Sequence, residues 1–100
     1  MPVQHTYDST SKTLQISISD HFNFDVHSEF REAYRNIPAN GASSVVVDLR
    51  RTEYMDSSAL GMLLLLDEHF PSVKIQLVNC SDYIKQVLEI SNFDQKFTVA

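Results

Sequence analysis

Tryptophan is absent, and cysteine occurs once, at Cys80. A single thiol cannot close an internal disulfide, so the chain does not draw its stability from an oxidising compartment. Basic residues are few: eight Lys and Arg stand against thirteen Asp and Glu, a formal charge of -5. A nucleic-acid binder needs a basic face, and this balance speaks against one. It also disfavours adsorption to an anionic membrane surface. The longest apolar run, Leu60–Leu66, is interrupted by Gly61 and falls far short of the roughly 20 residues that cross a bilayer. Direct membrane insertion is therefore not expected. Met1–Asp20 shows no basic stretch followed by an apolar run, so no signal peptide is expected and the expected location is cytoplasmic. The two glycines, Gly41 and Gly61, stand alone. No Gly-rich phosphate loop and no Gly-x-Ser-x-Gly elbow can be built from them.

What is present reads as one α/β domain over residues 1–100. A chain of this length buries roughly 60–68% of its unfolded surface, enough for one core. Leu14, Ile16 and Ile18 alternate with Gln15, Ser17 and Ser19, the mark of a half-buried strand. Gln4–Tyr7 is expected to pair with it across a turn at Asp8–Lys12. In Asp25–Ile37 the residues Val26, Phe30, Ala33, Tyr34 and Ile37 share one helical face. Asp25 is the expected N-cap, and Pro38 and Asn40-Gly41 the stop. The β-branched run Val45-Val46-Val47 predicts a central parallel strand over 44–49 with both faces apolar, and Val45, Val46, Val47 and Leu49 in the core.

Ser58–Phe70 predicts a helix that is apolar nearly all round, ended by Pro71. Leu60, Leu63 and Leu64 are expected against the sheet, with Met62 or Leu66 partly exposed beside the helix start. Val73–Asn79 alternates as a further strand. Ser81 can cap a third helix with Ile84, Val87 and Leu88 inward, and a last short strand is expected over 97–99. Strands alternating with helices predict mainly parallel pairing.

Residues for chemistry are scarce. His5, His21, His27 and His69 stand at no metal-ligand spacing. Cys80 follows a strand and reads as a small buried residue. No nucleophile–base pair emerges from the spacing, so neither an enzyme nor a bound cofactor or metal is expected. Asp56-Ser57-Ser58 at the start of the apolar helix is different. Helix capping alone accounts for part of it, since any of the three can satisfy the first N–H groups. Three cap-competent residues exceed one cap, which leaves a hydroxyl free at a helix N-terminus, where an added phosphate is well placed.

The segment Val45–Leu66 resembles the signature of STAS domains, the bacterial anti-sigma-factor antagonists. The match lies in Asp48-Leu49, Tyr54-Met55, Asp56-Ser57-Ser58, Leu60-Gly61 and the Leu63–Leu66 run. Two departures are Ala59, where the family has Gly, and Asp20-His21-Phe22-Asn23, where members often read Gly-Glu-Leu-Asp. The resemblance implies a STAS-like α/β fold, with a central mixed sheet of four to five strands and three or more helices. It implies phosphorylation of Ser57 by a partner anti-sigma factor that is also a serine kinase, using its own ATP. Removal of the phosphate would fall to a metal-dependent PP2C-type phosphatase. The unphosphorylated domain would bind the anti-sigma factor through Asp56, Ser58, Ala59, Met62, Asn23 and Asp48, in bacterial signal transduction and transcription regulation. The alternative is a STAS scaffold subunit of a membrane transporter or larger assembly, without phosphorylation.

Overall fold

The computed structural model describes residues 2–100. The strands are β1 (Val3–Asp8), β2 (Thr13–Ile18), β3 (Asp20–Phe22), β4 (Ser44–Asp48), β5 (Thr52–Met55), β6 (Gln76–Val78) and β7 (Thr98–Val99). The α-helices are α1 (His27–Glu32), α2 (Ser57–His69) and α3 (Asp82–Ile90). Five strands form one mixed sheet in the order β1-β2-β4-β6-β7; β1 and β2 are antiparallel and the other neighbours parallel. The fold is the expected STAS-like α/β arrangement. The β1–β2 turn is held by Asp8, whose Oδ1 accepts from the N–H groups of Thr10 and Ser11.

Register decides which face is core. Leu14 lies beside Val45, and Ile16 beside Val47, which neighbours Leu77. All five are fully buried and share one core cluster with buried Phe22, Phe30, Phe70 and Phe97. On the opposite face the row Gln15, Val46, Gln76 is open to solvent apart from half-buried Val46. The expectation that Val46 is core is thus corrected. β4 is central and parallel, but the helices cover one face only.

Three elements depart from the sequence reading. The 25–37 segment is a 3-10 turn at Phe24–Val26 followed by the short α1. Asn23, not Asp25, is the cap, its side chain accepting from the Asp25 N–H. The chain tightens after Glu32 into bonds from Tyr34 to Arg31 and from Ile37 to Tyr34. Pro38 disfavours helical geometry at Ile37, whose carbonyl accepts from His69 Nε2 at 2.6 Å. The periodic residues Val26, Phe30, Ala33 and Tyr34 are nonetheless buried. The strand expected over 73–79 is only β6, Gln76–Val78, ended by Asn79 in the left-handed region at φ 57. The third departure is the parallel pair β3–β5, which sequence periodicity did not announce. Only its Phe22, Thr52 and Met55 are buried.

Helix α2 also sits differently on its axis than expected. Its buried stripe is Ala59, Met62, Leu63 and Leu66, with Met62 7% and Leu66 0% exposed. Leu64 and Leu65 face outward at 38% and 57%. Ser57, Gly61 and Glu68 are spaced by four and seven residues and share one exposed face. The buried stripe is the one opposite Glu68, whose charge demands water.

Candidate functional site

The site is assembled where β3–β5 delivers the chain to α2. Phe22 pairs with Met55, and the Asp56 N–H reaches back to the Phe22 carbonyl. This joins the Asn23 loop to the head of α2. Asp56 is the N-cap in extended conformation; its Oδ1 accepts from the Ser58 N–H at 3.0 Å and the Ala59 N–H at 3.2 Å. The Ser58 hydroxyl donates to the same oxygen at 2.6 Å. That hydrogen bond, helped by the two N–H groups and opposed by partial burial, holds the Asp56 carboxyl below its ordinary value of 3.8. Asp56 is therefore a firmly ionised cap.

Ser57 is the first residue of α2 and is exposed. Among the described residues its hydroxyl has no hydrogen-bond partner, in contrast to the committed hydroxyl of Ser58. The two adjacent serines are thus chemically unlike. A free Oγ at a helix start, clear of neighbours, is open to an external phosphoryl donor, and the positive end of the helix dipole faces whatever is attached.

The remaining expected partner residues divide. Asn23 lies beside the site but spends its side chain on the 3-10 turn. Ala59 is fully buried and Met62 nearly so. Neither therefore presents a surface to a partner; both are under the site rather than on it. Asp48 ends β4, where Oδ1 accepts from the Arg50 N–H and Asn79 Nδ2, both at 3.0 Å. It lines a cavity of about 270 Å³ with Ser17, Ser19, Arg50 and Arg51. Gln4 and Ser17, which also line that cavity, are cross-strand neighbours on the open face of the sheet.

The structure brings together aromatic residues that the sequence did not link. Tyr54 and Tyr83 stack with centroids 6.3 Å apart, His21 packs edge-on against Tyr54, and the Tyr83 hydroxyl donates to the Met55 carbonyl. Phe24, 63% exposed, stacks on His27. Exposed aromatics beside a free serine suit a protein partner. Their signal in the sequence was faint, because they come from stretches as far apart as 21–27, 54 and 83. His27 Nδ1 bonds the Phe24 carbonyl. Among the described residues no three His, Cys, Asp or Glu side chains cluster as metal ligands. Cys80 is half-buried; burial pushes its thiol above the ordinary value, away from reactive thiolate. No helix among the described residues is long and apolar enough to cross a membrane.

A mixed sheet layered with helices on one face, with a capped helix start at Asp56, defines a small α/β domain of the STAS-like fold. The chain belongs to the STAS domain family: the family described as "Mlab, STAS domain" matches residues 5–99. A STAS-domain-containing protein of Pseudomonas aeruginosa is 46% identical over 89 residues, 87% of either chain. BtrV of Bordetella bronchiseptica, named as a candidate anti-sigma factor antagonist, is 37% identical over 62 residues, covering 60% of this chain and 53% of that one. Among solved structures, the anti-sigma factor antagonist SpoIIAA of Bacillus shares the fold at 17% identity and a TM-score of 0.67, in both its unphosphorylated and phosphorylated forms. The alignments cover 93% of this chain and 96% of SpoIIAA for the first form, and 98% and 90% for the second.

Proposed function

We propose that this protein is a phosphoserine-switched regulatory binding protein, an anti-sigma factor antagonist in a partner-switching pathway. In its unphosphorylated form it binds an anti-sigma factor that is also a serine kinase, and phosphorylation of Ser57 releases it. The observation that carries this reading is the contrast at the head of α2. Ser58 is spent on Asp56 at 2.6 Å, whereas Ser57 is exposed and unengaged among the described residues. Attack of Ser57 Oγ on the γ-phosphorus of ATP would displace ADP, with the hydroxyl proton passing to a base of the kinase. A PP2C-type phosphatase would reverse the modification. Kinase and nucleotide belong to the partner, so the domain acts as substrate and binder. The names of the relatives support an anti-sigma-factor partner.

Phosphate adds about -1.5 to -2 charges at pH 7. A partner surface shaped for a neutral hydroxyl would have to desolvate that charge, at a cost on the order of 3–5 kcal/mol, or about two to four decades of affinity. Ser57→Ala is expected to bind the kinase constitutively and Ser57→Asp poorly, with both folded. Ser58→Ala is expected to accept phosphate still. Phosphosite mapping after incubation with the kinase, beside affinities for the three variants, tests this. Phosphate on Ser58 alone, or equal affinity of the two Ser57 variants, overturns it.

A further inference from the structure

Gly61 has no reason inside the molecule to be glycine. A Cβ built there meets nothing within 4 Å, and its φ is not in the left-handed region, since no glycine has positive φ. A glycine within a helix is disfavoured relative to alanine by about 1 kcal/mol. Here no close internal packing compensates. Gly61 stands one turn beyond Ser57 on the same exposed face, and one turn before Leu65, which is 57% exposed beside Leu64 at 38%. Leu65 also forms a wall, with Glu68 and His69, of a groove of about 520 Å³ whose other wall is Arg31, Tyr34 and Arg35. Arg35 is paired with Glu32 at 3.0 Å, whereas Arg31 has no carboxylate partner among the described residues.

We infer that this groove between α1 and α2, continued along α2 over Gly61 towards Ser57, seats an amphipathic helix of the partner protein. The helix would lay its apolar side on Leu64 and Leu65, bring its backbone close over Gly61, and turn an acidic flank to Arg31. Small residues admit close backbone approach, and a lone guanidinium beside apolar surface selects a carboxylate. Glu68, on the α2 wall, repels a carboxylate placed beside it, so the acidic flank turns to the α1 wall and Arg31. An acidic occupant is also consistent with release on phosphorylation, because the phosphate would stand at the head of the same stripe and repel it.

The inference rests on reading the Ser57 end as partner-facing, but its test needs no kinase and can fail while phosphorylation of Ser57 stands. The isotope-labelled domain is titrated with two synthetic helical peptides, identical in their leucines, one with a Glu flank and one with Lys in its place. The Glu peptide is expected to shift the amides of Arg31, Gly61 and Leu65, and to bind about tenfold tighter than the Lys peptide, with the preference falling as salt rises. Arg31→Glu should reverse the preference. Gly61→Ala should weaken binding while melting at or above the parent temperature, an outcome no structural role for Gly61 would give. Equal binding of the two peptides, shifts confined to another face, unchanged binding by Gly61→Ala, or a dimer of this chain that already covers the groove would overturn the inference.

Discussion

At the head of α2 three adjacent residues that are interchangeable by capping preference take three different roles. Asp56 accepts, Ser58 donates to it, and Ser57 is left free. That one of the three would be left over follows from composition alone; which one depends on the turn geometry, which the sequence does not display. The same limit explains Asn23, which caps the 3-10 turn in place of Asp25 two residues on, since both side chains are competent. Because the Asp56 carboxyl is held below 3.8 when folded, its contribution is fully present above the unfolded value and is lost as pH falls through the folded one. Asp56→Asn keeps an acceptor for the cap but cannot titrate. Melting temperatures of parent and variant should therefore run in parallel above about pH 5 and converge or cross below about pH 4, where the parent loses its ionised cap. Parallel curves down to pH 2 would remove the ionised Asp56 from the account.

At the scale of elements, α2 shows where apolar periodicity stops being informative. With Leu60 and an unbroken run from Met62 to Leu66, several stripes are equally hydrophobic; of the expected Leu60, Leu63 and Leu64, Leu63 is fully buried and Leu60 packs partly buried against the core, but Leu64 turns outward. The orienting signal was polar: Ser57, Gly61 and Glu68 share a face, and the core takes the side opposite. The consequence is testable within one helix turn. Leu66→Ala removes a fully buried side chain and should cost about 2–5 kcal/mol, whereas Leu65→Ala, 57% exposed, should stay within about 0.5 kcal/mol. Urea unfolding of both variants checks this, and equal losses would contradict the orientation of the helix. The shortness of α1 was hidden for a different reason. Its inward residues keep the 3.6 period, and the flanking 3-10 turns are too short for their own three-residue period to show, so burial was legible over 26–34 while helix type was not.

For the whole molecule, alternation made β2 legible, the β-branched run made β4 legible, and the order of strands and helices made the mainly parallel pairing legible, whereas the mixed sheet was what the STAS resemblance implied. The β3–β5 pair escaped because three or four residues with only Phe22, Thr52 and Met55 inward carry too little period. Yet this small sheet is what brings the Asn23 loop to Asp56 and so builds the site. Coverage of one sheet face only also separates neighbours in β4. Val47→Asp places an unpaired charge in the core and should cost several kcal/mol, and Val46→Asp, on the half-open face, distinctly less. Comparable losses for the two in thermal melts would mean that the second face is covered. The one-sided architecture also bears on the switch, since Ser57 lies on the solvent side of α2, remote from the packed layer. Phosphate there meets the helix dipole, which attracts it by about 0.3–1 kcal/mol, and the ionised Asp56, which repels it by a similar amount for partly exposed charges. The two offset, so the phosphorylated domain should unfold within about 1 kcal/mol of the unphosphorylated one, with an unchanged denaturant slope. A loss of several kcal/mol on phosphorylation would mean that the modification acts by loosening the domain, and the release of the partner would then be a consequence of unfolding, not of a charged surface on an intact fold.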